Sequence, residues 1–246
     1  AGTTRANFGL SWGGHVAHAV RPEGDVFALP EGVDLVEASL GHLAAIAYRG
    51  VRLGRARPHE TVACFGLGPI GMLSARLHRA TGARVVAADL SPQRVSLAEA
   101  AGLEAFVPEG PLSEAFGKVL PEGADVVVDS TGAPAVLPQA IAVARDKPWD
   151  DSAEPGPRLV VQGSYPADVA VPYQEAFMKE MSLHFPRDVQ PRDVRAVLDL
   201  TARGRLSARD IVTEVRPPED AGKTYTELRE APGRLMSVAF EWGRDR

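Results

Sequence analysis

A single cysteine among 246 residues, Cys64, excludes an internal disulfide and any metal cluster built on several thiolates. No apolar run approaches the roughly 18 residues that a helix needs to cross a bilayer, and no charged-then-apolar signal segment opens the chain. Basic residues are not in excess: 27 Lys and Arg stand against 32 Asp and Glu, for a formal net charge of −5. That leaves no positive field to attract nucleic acid or an anionic membrane surface. Repeats and low-complexity tracts are absent, and the first residue is alanine rather than methionine. What remains is a chain long enough to bury a sizeable core, as one large domain or two small ones, expected in the cytoplasm and on a small-molecule partner.

The most informative stretch is Thr61-Val62-Ala63-Cys64-Phe65-Gly66-Leu67-Gly68-Pro69-Ile70-Gly71. Its four apolar residues from Val62 to Phe65 suit a strand buried on both faces of a parallel sheet, and place Cys64 as a small buried hydrophobe. Pro69 fits the first turn of a following helix. Three glycines at this spacing mean little alone, but between a strand and a helix each has a task. Gly66 permits a tight turn, Gly68 lets backbone approach a pyrophosphate, and Gly71 lets helix and strand pack closely, while the helix N-terminus offers N–H groups to the anion. A second apolar run over 84–88 then delivers Asp89, eighteen residues after Gly71. A carboxylate there accepts hydrogen bonds from both ribose hydroxyls of an adenosine and repels a 2′-phosphate, so the expected cofactor is NAD rather than NADP. Arg94, five residues on, can reach either a hydroxyl or a phosphate. A tight turn with no ligand is the plainer alternative.

Strands and helices alternate through the middle of the chain. Strands are expected at 61–66, 84–89, 105–107, 124–129, 158–163 and 182–185, and helices at 69–81, 91–101, 111–119 and 134–144. Because each parallel strand needs a crossover to return to the same edge, this is the pattern of a doubly wound parallel sheet, an α/β Rossmann fold with ligands beyond the strands' carboxyl ends. A helix over 35–53 leads into the first strand, with apolar residues at three- and four-residue intervals. Before it, 15–20 and 25–29 read as short strands. His15 and His18 sit three apart in such a strand, on opposite faces, and so do not share a metal. The Pro- and Asp-rich segment 145–157 reads as a solvated loop. After 186 the pattern becomes helix (192–202), strand (211–215), helix (219–230) and strand (234–242).

With these elements placed, the chain resembles the medium-chain dehydrogenase/reductase family of the zinc-type alcohol dehydrogenases. Trp12-Gly13-Gly14-His15-Val16-Ala17-His18-Ala19-Val20 and Ala28-Leu29-Pro30-Glu31-Gly32-Val33 look like the family's glycine-rich strand and its L-P-x-G-V loop. The glycine motif, Asp89 with Arg94, and Asp129-Ser130-Thr131-Gly132 match its cofactor half. Gly204-Arg205-Leu206, Ile211-Val212-Thr213 and Ala221-Gly222-Lys223-Thr224-Tyr225-Thr226-Glu227-Leu228 look like its closing segment. The resemblance implies an NAD-binding Rossmann domain over 41–186, with 1–40 and 187–246 as the remnant of a GroES-like β-barrel catalytic domain. It implies that the first two catalytic zinc ligands would precede Ala1, and it aligns Ala38, which cannot bind metal, with the third. Glu37 is one residue away, about 100° round a helix, and is not promoted to ligand. The cysteine-rich lobe with its structural zinc is absent, so the expected branch works without zinc.

Hydride transfer belongs to the cofactor, and the protein must place the substrate and supply a proton. The candidates are His42, which the resemblance puts at the nicotinamide end, and Tyr165, just past the fifth strand. Against the first stands the plainer reading of a helix histidine satisfied by solvent or a carbonyl. By resemblance, backbone at Gly163, Ser164, Phe185 and Pro186 holds the carboxamide, and Ser130 lies in the turn after the fourth strand. The expected reaction is an NAD-dependent oxidation of a secondary alcohol or reduction of a ketone, on a sugar-like or polyketide-like metabolite. The competing reading is a dinucleotide-binding module without catalysis. The apolar last strand, at a sheet edge, is expected to pair with its copy in a homodimer.

Overall fold

In the computed structural model, residues 15–17, 19–149, 154–166, 168–231 and 233–243 are described. Expectations that rest on Trp12, Gly13, Gly14 and His18 lie outside these.

Six parallel strands form one sheet in the order β3-β2-β1-β4-β5-β6. They are β1 (Thr61–Phe65), β2 (Arg84–Ala88), β3 (Glu104–Phe106), β4 (Val126–Asp129), β5 (Arg158–Val161) and β6 (Ser182–His184). This is the Rossmann order, in which the reversal between β1 and β4 opens a crevice at the carboxyl ends. The central strands carry apolar residues without a break because both faces are covered. Val62 and Cys64 join one core with the helices α2 (Gly41–Gly54), α3 (Pro69–Ala80) and α8 (Pro191–Ala202), while Ala63 and Phe65 join a second with α5 (Leu112–Gly117) and α6 (Val136–Val143). Burial pushes the Cys64 thiol up to about 12 and the His78 imidazole down to about 4, so neither group serves as an ionic catalyst.

Helix α2 carries small residues where it crosses the sheet: a Cβ on Gly54 would stand 3.1 Å from Val160 and 3.3 Å from Val126. Two ion pairs tie later parts of the chain to this layer. Arg52 meets the fully buried Asp193 of α8 at 2.5 Å, and Arg76 of α3 makes two bonds to Asp210 at 2.6 and 2.7 Å. At the sheet's other end, Glu60 and Arg158 pair at 2.8 Å, both nearly buried.

The remaining helices are α1 (Leu35–Ala38), α4 (Pro92–Ala100), α7 (Tyr173–Met178) and α9 (Ala221–Glu230), and a second, two-stranded parallel sheet joins β7 (Glu214–Arg216) to β8 (Val238–Phe240). Four expectations are corrected. The helix over 35–53 is two helices: Asp34 caps the first through the Glu37 N–H, and the Ser39 hydroxyl donates to the Val36 carbonyl, so the chain turns before Gly41. Among the described residues, 15–20 and 25–29 form no strands, because no neighbour pairs with them; Glu23–Asp25 is instead a 3-10 turn. The strands expected over 211–215 and 234–242 shrink to β7 and β8. Helix α7, six residues long, was not anticipated. Among the described residues no helix is long and apolar enough to cross a membrane.

Candidate dinucleotide and active site

Gly66 leaves β1 with φ +81°, in the left-handed region, and its N–H bonds the Ala88 carbonyl of β2. The chain then enters α3 with Pro69 at its first turn and Ile70 beside it. A Cβ on Gly71 would lie 1.8 Å from the Gly66 oxygen, so only glycine lets the helix begin this close to the strand. Gly68 differs: a Cβ there would meet nothing within 4 Å. Packing does not demand glycine at 68, and the space in front of it is where a ligand would approach.

Asp89 follows β2, with its side chain 8% exposed. Its Oδ2 accepts from the Leu67 N–H at 2.6 Å and its Oδ1 from the Ser91 N–H at 2.8 Å, so the carboxylate fixes the glycine turn and the start of α4 together. Each oxygen keeps further acceptor capacity toward the cleft. Arg94, in the first turn of α4, stands 3.5 Å from Asp89.

These groups line one cleft of about 610 Å³ at the β1–β4 reversal, with Gly66, Gly68, Asp89, Arg94, Ser130 and Thr131 among its walls. Ser130 Oγ is buried there with no hydrogen-bond partner, a donor left for something the cleft receives. The free space before Gly68, the orphaned hydroxyl and the acid at the end of β2 fit a dinucleotide. Sequence reasoning missed the outer wall, which Pro108, Gly110 and Leu112 form after β3; Gln139 of α6 fastens it by accepting from the Leu112 N–H at 3.0 Å.

Gly163 and Tyr165 lie apart from this cleft. They border a neighbouring hollow of about 510 Å³ at the ends of β5 and β6, with Phe185 and Pro186. Ser164 abuts the β4 exit, its carbonyl 2.5 Å from where a Gly132 Cβ would be. The Tyr165 hydroxyl donates to the buried Asp129 carboxylate; burial first, and then this bond, raise its pKa. The hydroxyl proton is thus directed at Asp129.

His42 occupies the first turn of α2, not a continuation of the helix that contains Ala38. Gln162, just past β5, donates to the Ile46 carbonyl at 2.8 Å, which sets the start of α2 beside the carboxyl ends of the strands. The His42 ring is 63% exposed, with Asp188 Oδ1 at 3.8 Å. Asp188 has φ +50°, uncommon for a residue with a side chain. Glu37 is already engaged, its carboxylate accepting from the Ala208 N–H at 2.6 Å. Ala38 has no donor atom, and the described residues contain no group of three or more His, Cys, Asp or Glu that could hold a metal ion. His15 instead bonds the Tyr225 hydroxyl at 2.5 Å and packs edge-on against Phe240.

The sequence profile of the zinc-binding dehydrogenases matches residues 69–203. The chain is 31% identical over 228 residues to the probable D-xylulose reductase A of Arthroderma otae, an alignment that covers 89% of this chain and 62% of that protein. It is 28% identical to D-xylulose reductase A of Aspergillus oryzae, covering 89% and 61%. Among solved structures, alcohol dehydrogenase TADH from Thermus sp. ATN1 superposes with a TM-score of 0.75 at 26% identity, covering 87% of this chain and 62% of that one. The chain thus spans about three fifths of the length of the curated relatives it matches. On the profile match and the Rossmann sheet that carries it, the chain belongs to the zinc-binding dehydrogenases of the medium-chain dehydrogenase/reductase family.

Proposed function

We propose that this protein is an NAD(H)-dependent oxidoreductase of the alcohol dehydrogenase type, acting between a secondary alcohol and its ketone on a polyol-like substrate, without catalytic zinc. The observation that carries the reading is the cleft at the β1–β4 reversal, where Asp89, the space before Gly68 and the unpartnered Ser130 hydroxyl converge. Gly66, Gly68, Pro69, Ile70 and Gly71 would hold the pyrophosphate, Asp89 and Arg94 the adenosine ribose, Ser130 the middle of the dinucleotide, and Gly163 and Ser164 the carboxamide. The nicotinamide, when bound, supplies the hydride chemistry. Segments 1–40 and 187–246 are assigned to the remnant of a GroES-like catalytic domain, and 41–186 to the cofactor domain. The named D-xylulose reductases favour a sugar-derived ketone.

His42 is the candidate for moving the proton, with Asp188 orienting its ring from 3.8 Å. The test is NADH consumption with a panel of polyol ketones, D-xylulose among them. His42→Ala is expected to lower kcat about 100-fold, the lower range for a lost general acid, with NADH affinity unchanged. If the protein binds NADH and turns over none of the panel, the non-catalytic module becomes the better account.

A homodimer through β6 belongs to the same reading. The strand closes one edge of the sheet, and a hollow of about 1050 Å³ lies beside it. Trp149 and Tyr173, 95% and 71% exposed, border it with Phe177 and Met178. An apolar face of this kind beside an open strand edge suits a second copy. Sedimentation equilibrium should give twice the chain mass, and Phe177→Glu should return it to the monomer; a monomeric parent protein rejects the dimer.

A further inference from the structure

Asp129 is the last residue of β4 and is fully buried. Its Oδ1 accepts from the Thr131 N–H at 2.9 Å and from the Thr131 hydroxyl at 2.6 Å, while its other oxygen accepts from the Tyr165 hydroxyl. Its backbone carbonyl accepts from both the Gln162 and the Gly163 N–H, each at 2.8 Å. One residue therefore gathers two chain exits, the turn after β4 and the turn after β5. The turns touch backbone to backbone: a Cβ on Gly163 would lie 2.3 Å from the Gly132 nitrogen, and one on Gly132 would lie 2.5 Å from the Ser164 oxygen. Such an approach persists only if something holds it, and Tyr165, 36 residues along the chain from Asp129, is the one side chain from the second turn that reaches the carboxylate among the bonds described.

The position of this clasp matters. Asp89 sets the adenosine half over β2, on one side of the β1–β4 crevice, so the other half of a dinucleotide runs over β4 and β5. There the Tyr165 ring, with Gly163 and Phe185, borders the hollow at the ends of β5 and β6. Resting on the dinucleotide reading given above, we propose that Tyr165 is a positioning residue: its bond to Asp129 locks Gly163 and Ser164 against Gly132 and builds the wall for the nicotinamide half of the cofactor. Because the hydroxyl is committed to the carboxylate, its part is to hold the wall and not to exchange a proton with substrate. Loss of that hydroxyl leaves an acceptor buried without its donor and loosens the second turn beyond Gly163, which the Gln162 and Gly163 N–H bonds to the Asp129 carbonyl still tether, while the glycine turn and Asp89 are untouched.

Tyr165→Phe keeps the ring and removes only the donor. Binding of NADH is compared with binding of ADP-ribose, which has the adenosine and pyrophosphate groups but no nicotinamide, in the parent protein and the variant, with thermal melts to confirm the fold. The variant should bind NADH about tenfold more weakly, the effect of one lost hydrogen bond to a charged group, and ADP-ribose within about twofold of the parent. The fluorescence of bound NADH should also move toward that of free NADH. Equal losses for both ligands, or no loss for either, overturn the positioning role. If the parent protein binds neither NADH nor ADP-ribose, the dinucleotide reading fails and the clasp fails with it.

Discussion

Gly71→Ala should abolish NADH binding and cost about 3 kcal/mol of folding stability, in the range of the severe backbone and overpacking substitutions. The added Cβ would sit 1.8 Å from the Gly66 oxygen, 2.9 Å from the Gly66 carbonyl carbon and 3.2 Å from Ser130 Cβ. None of these is the free end of a flexible side chain. Gly66 is held by its bond to Ala88 and by its left-handed backbone, and Met72, Leu73 and Leu77 of α3 are fully or almost fully buried, so the helix can retreat only by opening the core. Gly68→Ala is the informative companion. Its φ of −63° suits alanine and its Cβ meets no protein atom, so urea denaturation should find the variant at least as stable as the parent. Its NADH affinity should nonetheless fall steeply, because the methyl occupies the space offered to the pyrophosphate. Unchanged affinity in Gly68→Ala would mean that no ligand approaches there.

The second large effect is expected at Asp89. Replacement by alanine removes the acceptor for the Leu67 N–H at 2.6 Å and for the Ser91 N–H at 2.8 Å, and with them the contacts proposed for the adenosine ribose. Affinity for NADH should fall about 100-fold, as expected when two hydrogen bonds to a carboxylate are lost. Affinity for NADPH should hold or rise, because the repelling charge is gone while the Arg94 guanidinium, 3.5 Å from the carboxylate in the parent, remains in the first turn of α4. Titration of the variant with both cofactors checks this; parallel losses would make Asp89 a brace for the loop and not a selector.

The cofactor half of the protein was legible because its local and long-range demands coincide. Val126, Val127 and Val128 read as a buried strand and are one, since both faces are covered by helices. The glycine turn was readable because Gly66 and Gly71 answer to backbone geometry within a few residues, and Asp89 because it ends the neighbouring strand. Failure came where structure depends on partners far along the chain or on a local hydrogen bond. The apolar run over 26–29 resembles a strand, but no described segment pairs with it. The apolar period over 35–53 hides a break after Ala38, so His42 lies in the first turn of a new helix and its relation to Ala38 differs from the one expected. Tyr165 stands out in the sequence only by its place after the fifth strand, and no spacing rule predicts its bond to Asp129. Pro108 and Gly110 drew no reading from the sequence, and become a wall because β3 lies beside β2.

The central claim is that this chain carries a working NAD(H) site, and calorimetric titration of the protein with NADH and then with NADPH tests it most directly. The account predicts saturable NADH binding at one site per chain, at least about tenfold tighter than NADPH because Asp89 repels a 2′-phosphate. Binding of neither cofactor, or a preference for NADPH, would contradict it.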